Sequence, residues 1–159
     1  MIFNSLTFLF FLLIVFTIFW SLNNRLRNIF LLLVSCIFYG FWRWEYLIVM
    51  FFSAFTDYYT SLFIYNTPET NKKKRRFLLF VTLIVNLGML FYFKYLYFVL
   101  DNSNSILSYF NIDFNFTLYH ILLPFGISFY TFETISYTVD VYRGITKPEK
   151  SFLNYFLFV

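Results

Sequence analysis

Lys72-Lys73-Lys74-Arg75-Arg76-Phe77-Leu78-Leu79-Phe80-Val81-Thr82-Leu83-Ile84-Val85-Asn86-Leu87-Gly88-Met89-Leu90-Phe91-Tyr92-Phe93-Lys94-Tyr95-Leu96-Tyr97-Phe98-Val99-Leu100 decides the fold class. Five cations in a row precede 24 residues in which Lys94 carries the one charge. As a helix those residues extend about 36 Å at ~1.5 Å each, enough to cross a hydrocarbon core of about 30 Å. Alone, the basic run would also fit nucleic acid or anionic lipid. Between two long apolar segments it reads as a cytoplasmic loop that fixes topology, and no nucleic-acid partner is expected.

The rest of the chain agrees. Of 159 residues, 60% are hydrophobic, 28% aromatic and 13% charged, about half the charged share of an average globular protein. Too few polar side chains are present to cover a soluble surface, and so apolar a chain does not stay disordered. The 27 Phe and 14 Tyr are spread through Leu/Ile/Val-rich runs rather than gathered in one tract. The expectation is an all-α, polytopic transmembrane protein without a soluble domain. Its spans fall at residues 2–20, 29–42, 46–65, 77–100 and 118–141, with the start of a sixth at 152–159. The first has no basic flank and no small-residue cleavage motif, so it reads as a retained span. Eight residues make about 12 Å of helix, so the final segment reads as an unfinished span.

Charge supports this order. The first, third and fifth loops hold Arg25 and Arg27, then Lys72 to Arg76, then Arg143, Lys147 and Lys150, ten of the 12 basic residues. The intervening loops hold Arg43, Asp101 and Asp113. By the positive-inside rule the basic loops are cytoplasmic and the N-terminus lies outside. Trp42 and Trp44 flank Arg43 as an interfacial belt. The segment 101–117, rich in Asn, Ser and Asp, is expected as a loop or interfacial stretch. The single cysteine, Cys36, forms no intrachain disulfide and is expected as a buried, inert thiol.

Ionisable groups at membrane depth are costly, which makes them the first candidates for function. Asp57 fits either a cavity-lining group or a helix-packing carboxylate paired with a Tyr, Asn or Lys. Lys94 is expected to snorkel or to pair with a carboxylate. Glu133, Ser136, Tyr137 and Asp140 are spaced i, i+3, i+4 and i+7, so they share one helical face. Tyr130 precedes them by a turn and Arg143 follows by a turn, in reach of an i,i+3 pair with Asp140. The stripe fits a wet cavity, and Pro124 and Gly126 mark a break where its helix begins. His120 is the one imidazole and is expected near the external interface. No metal-ligand spacing, catalytic triad or glycine-rich phosphate loop is present.

The run Leu122-Leu123-Pro124-Phe125-Gly126-Ile127-Ser128-Phe129-Tyr130-Thr131-Phe132-Glu133-Thr134-Ile135-Ser136-Tyr137-Thr138-Val139-Asp140-Val141-Tyr142-Arg143-Gly144 closely resembles the signature of the membrane-bound O-acyltransferase family. The resemblance is to the branch of alginate O-acetyltransferase and the D-alanyl transferase of teichoic acids. Met1 to Ser5, Arg27-Asn28, Phe38 to Trp42 and Phe93-Lys94-Tyr95 agree with it, so it covers nearly the whole chain as an N-terminal portion of the family domain. The resemblance implies a multi-pass protein of the plasma (inner) membrane with a ring of helices around a thinned, funnelled centre. It implies acyl transfer from a cytoplasmic donor, acetyl-CoA or an acyl-carrier thioester, to a hydroxyl of an extracellular polysaccharide such as alginate. An extracytoplasmic partner protein is implied as acceptor or relay, and no cofactor is held.

The family's transferring histidine suits that chemistry because a near-neutral imidazole can accept a hydroxyl proton. His120 lies upstream of the signature and does not match it, so no catalytic residue is assigned and the chain alone is expected to be inactive. Tyr130, Glu133, Ser136, Asp140, Arg143 and Asp57 remain as funnel or motif candidates, beside the motif positions Pro124, Gly126 and Tyr142. Competing readings are a non-catalytic membrane scaffold derived from the family, D-alanyl transfer to teichoic acid, and a transporter piece with a broken polar helix.

Overall fold

The computed structural model describes residues 6–110 and 122–159, and at positions 24 and 25 the backbone alone. Every regular element among the described residues is helical. In chain order they are α1 (Leu6–Ser21), α2 (Asn24–Arg43), α3 (Glu45–Asn66), α4 (Lys72–Leu90), a π-helical turn (Phe91–Tyr95), α5 (Leu96–Tyr109), α6 (Ile127–Arg143) and α7 (Phe152–Phe158). The all-α expectation holds. Three stretches are long and apolar enough to cross a membrane: Leu26–Arg43, Glu45–Asn66 and Lys72–Tyr109. α1 is apolar but shorter, and α6 has 17 residues. Length and composition thus select three spans among the described residues where the sequence suggested five. His120 and Asp113, with the first part of the fifth expected span, lie outside them.

Several boundaries move. The second helix begins at Asn24 rather than 29, so Arg27 sits in its first turn. There its Nε donates to the carbonyls of Phe19 (3.2 Å) and Leu22 (3.0 Å), and its guanidinium lies 5.1 Å from the Phe19 ring. A cation is thereby placed on the carbonyl end of α1, where the helix dipole favours it. The basic run is likewise helical from Lys72 rather than a loop. The Asn71 side chain caps it by accepting from the Lys74 amide at 3.3 Å. The expected loop at 101–117 is helical as far as Tyr109. Its polar side chains turn back on their own helix: Asn102 donates to the Phe98 carbonyl and Ser103 to that of Val99, each at 2.7 Å. Serine and asparagine can therefore occupy helix here without stranded polar groups.

α3, α4 and α6 make the closest helix contacts and enclose the centre of the molecule. Their facing positions are mostly small or polar: Ser53, Ala54, Asp57 and Ser61 on α3, Thr82 and Asn86 on α4, Thr131, Thr134 and Thr138 on α6. Phe52 and Phe63, Phe80 and Ile84, Phe129 and Phe132 point outward from the same helices. A soluble bundle has the opposite arrangement. In lipid the outer face gains nothing by hiding apolar groups, so close backbone approach and interhelical hydrogen bonds hold helices together. α7 lies against α2 and α3, and α1 touches α2 alone among the helices.

The helix ends sort by charge. Arg75 at the start of α4 donates to the Tyr142 carbonyl at the end of α6 (2.7 Å). Asn28 near the start of α2 donates to Asn154 at the start of α7 (3.0 Å), and Tyr58 donates to the Lys150 carbonyl (2.6 Å). The three basic segments therefore gather at one end. At the other, Trp42 stacks on Tyr46 (5.5 Å) and tilts against Phe125 (6.3 Å), and Tyr46 meets Phe93 edge-on (5.8 Å).

Candidate functional site

α6 carries the candidate residues, and both its ends are fixed by backbone chemistry. Pro124 offers no amide, and Gly126 takes φ 76°, the left-handed conformation that a Cβ disfavours, before the helix starts at Ile127. The irregular backbone ahead of it is capped by tyrosines. Tyr39 of α2 donates to the Phe125 carbonyl at 3.0 Å, and Tyr46 of α3 donates to the Leu122 carbonyl. The break lies against protein, which is what non-helical backbone at membrane depth requires. At the far end Gly144, φ 74°, closes a Schellman motif, its amide donating to the Val141 carbonyl (3.1 Å) and that of Ile145 to Asp140 (2.9 Å).

The closed end sends residues 145–151 back across α6 as a strap. Tyr137 of α6 holds it by accepting from the Glu149 amide at 2.8 Å. The Glu149 carboxylate accepts from the Ser151 amide at 3.0 Å and from Asn154 at 3.5 Å. Strap, α6 and α7 together form a cleft of about 770 Å³, lined by Glu133, Ser136, Tyr137 and Asp140 on one side and by Lys147, Glu149 and Tyr155 among others facing them. It reaches from the basic end up α6 as far as Glu133, seven residues and about 10 Å from Asp140. Glu133 also lines a second, largely apolar cleft of about 560 Å³ between α1, α2, α6 and α7, where it is the one charged residue. It is half-buried at the meeting point and makes no hydrogen bond or ion pair with the described residues.

The structure thus brings Glu133, Ser136, Tyr137 and Asp140 to one cleft, as their spacing required, and separates the other candidates from it. Tyr130 is buried with Leu90 and Ile127, its hydroxyl unpartnered. Arg143 is exposed and forms no ion pair with Asp140; the one ion pair among the described residues is Arg75 with Glu69 at 3.8 Å. The Schellman turn commits the Asp140 carbonyl, and the arginine points outward. Lys94 finds a hydroxyl rather than a carboxylate, donating to Ser128 at 3.3 Å with its ammonium 5.4 Å from the Tyr95 ring. Cys36 is free and half-buried rather than fully enclosed.

Asp57 lies in the α3–α4–α6 centre, with no exposed surface. The Asn86 amide donates to both its oxygens, at 2.7 and 2.9 Å, and to the Thr82 carbonyl at 3.0 Å. Asn86 in turn accepts from Ser53 at 2.6 Å and Thr134 at 3.4 Å. Of the two readings open for Asp57, the structure shows the packing one, with Asn86 as the partner. Sequence reasoning passed over Asn86, although a lone amide at the middle of an apolar span was the available signal. It also passed over the strap, since which turn folds over a helix leaves no mark in local sequence. No group of His, Cys, Asp and Glu suited to a metal ion is found among the described residues.

The chain is 39% identical over its whole length to the Probable alginate O-acetylase AlgI of Pseudomonas aeruginosa and to that of Pseudomonas putida. It is 35% identical, over 78% of its length, to the Peptidoglycan O-acetyltransferase of Helicobacter pylori. It spans 30%, 33% and 22% of those three relatives. No family model and no solved structure matches it.

Proposed function

We propose, starting from a chain related over its whole length to membrane-bound O-acyltransferases of the alginate O-acetylase branch, that it forms part of an O-acetyltransferase acting on an extracellular polysaccharide such as alginate. The observation that carries this reading is the similarity, over the whole of this chain and 30% of the relative, to an alginate O-acetylase, with the signature helix of that resemblance lining a cleft of about 770 Å³. On this reading the protein is a multi-pass protein of the plasma membrane, with its three basic segments in the cytoplasm. The cleft then opens toward the cytoplasmic acyl donor. An extracytoplasmic partner protein presents or relays the acceptor hydroxyl.

In the transfer, the acceptor oxygen bonds to the thioester carbonyl carbon, the carbon–sulfur bond breaks, the sulfur takes up a proton, and the hydroxyl proton passes to a base. This chain supplies the cleft. No residue described is assigned as the base, and the chain spans 30% of the Pseudomonas aeruginosa relative's length. Glu133, Asp140 and Glu149 outnumber Lys147 around the opening, so an anionic nucleotide is disfavoured inside and the uncharged thioester arm of acetyl-CoA is the portion that fits.

Glu133→Gln in the full-length protein tests the reading. Polysaccharide acetyl content is expected to fall by about tenfold or more, the scale of one lost positioning contact of ~1.4 kcal/mol, at an unchanged membrane level of the protein. Phe132→Leu, on the lipid side of the same helix, leaves acetylation intact. Parental acetylation in Glu133→Gln would refute a role for the cleft.

A further inference from the structure

The basic run does not act as one charge cluster. Arg75 turns inward, where its side chain is 13% exposed, donates to the Tyr142 carbonyl and meets Glu69. Lys72, Lys73 and Arg76 turn outward on the neighbouring face of α4 and have no hydrogen-bonding or ionic side-chain partner among the described residues. With Phe77 and Phe80, one and two turns further along, they line a separate cleft of about 430 Å³. Positions 72, 73, 76, 77 and 80 fall on one side of a helix, cations at the polar end and aromatic rings below them. Free charge of one sign stands directly above an apolar groove, in a helix long enough to span a bilayer.

We propose that this groove is a binding site for an anionic phospholipid, with the headgroup phosphate held by Lys72, Lys73 and Arg76 and the first part of an acyl chain laid against Phe77 and Phe80. Charge complementarity selects an anion. The aromatic floor at membrane depth selects one that carries a hydrocarbon chain. A purely topological role for the cations calls for neither a cleft nor rings beneath them. The site stands apart from the Glu133 cleft and does not depend on the proposed acyl transfer.

The test is native mass spectrometry of the full-length protein in detergent micelles doped with phosphatidylglycerol or with phosphatidylcholine of the same chains. Phosphatidylglycerol is expected to be retained and phosphatidylcholine not. Neutralising all three cations (Lys72→Gln, Lys73→Gln, Arg76→Gln) is expected to weaken retention roughly 100-fold, since each basic side chain near an anionic lipid contributes about 1 kcal/mol. Phe77→Ala with Phe80→Ala weakens it with the cations intact. Neutralising Lys147 and Lys150, at the same end but away from the groove, does not. Equal retention of both lipids, or an unchanged profile in the triple variant, would overturn the proposal. So would displacement of phosphatidylglycerol by equimolar acetyl-CoA, which would assign the cations to the donor's phosphates instead.

Discussion

Replacing Asn86 by alanine removes one side chain from the centre of the molecule and leaves two polar groups stranded. Asp57 loses the amide that donates to both its oxygens, and the Ser53 hydroxyl loses its acceptor at 2.6 Å. Each stranded buried group costs about 1–3 kcal/mol, whereas interhelical hydrogen bonds measured in membranes average only ~0.6 kcal/mol because the dispersed helices also find partners. Asn86→Ala is therefore expected to destabilise by about 3 kcal/mol. Asp57→Ala combined with Asn86→Ala leaves no stranded carboxyl and is expected to cost clearly less than the two single changes added, a coupling of about 1.5 kcal/mol. Reversible unfolding in mixed micelles, followed by circular dichroism across the four-member cycle, gives both numbers. Additive costs, or a single Asn86→Ala effect below about 0.5 kcal/mol, would show that the hydrogen bonds do not hold α3, α4 and α6 together.

Gly144→Ala is expected to cost about 1–2 kcal/mol in the same assay, because φ 74° is unfavourable for any residue with a Cβ although no atom lies within 4 Å of where it would go. Gly88→Ala, in helical backbone near the end of α4 with equal room, is expected to be neutral or to stabilise by up to ~1 kcal/mol; equal losses at both glycines would contradict the conformational argument. Arg75→Lys keeps the charge but not the planar fork that reaches the Tyr142 carbonyl beside the Tyr142 ring. A loss of about 1 kcal/mol is expected there against none for Lys73→Gln, read as midpoints of thermal unfolding in detergent.

The helical class and its immersion in lipid were legible in the sequence because both depend on long apolar runs, a property of the chain and the solvent alone. The Glu133, Ser136, Tyr137 and Asp140 face was legible for a similar reason: 3.6 residues per turn sets which side chains align, whatever the surroundings. The helix starts at Asn24 and Lys72 were not, since composition reads Arg and Lys as loop and only the neighbouring carbonyls and caps show them to be helical. Tyr130 shares the stripe's spacing yet faces the core, because periodicity cannot say where the edge of a face falls. That Asp57 is matched by an amide 29 positions away, that Tyr39 and Tyr46 cap a backbone break some 80 residues on, and that a strap closes the cleft were decided by tertiary structure alone. Such contacts pair groups distant in sequence, and in lipid each buried polar group must find its partner wherever the packing of helices brings one within reach.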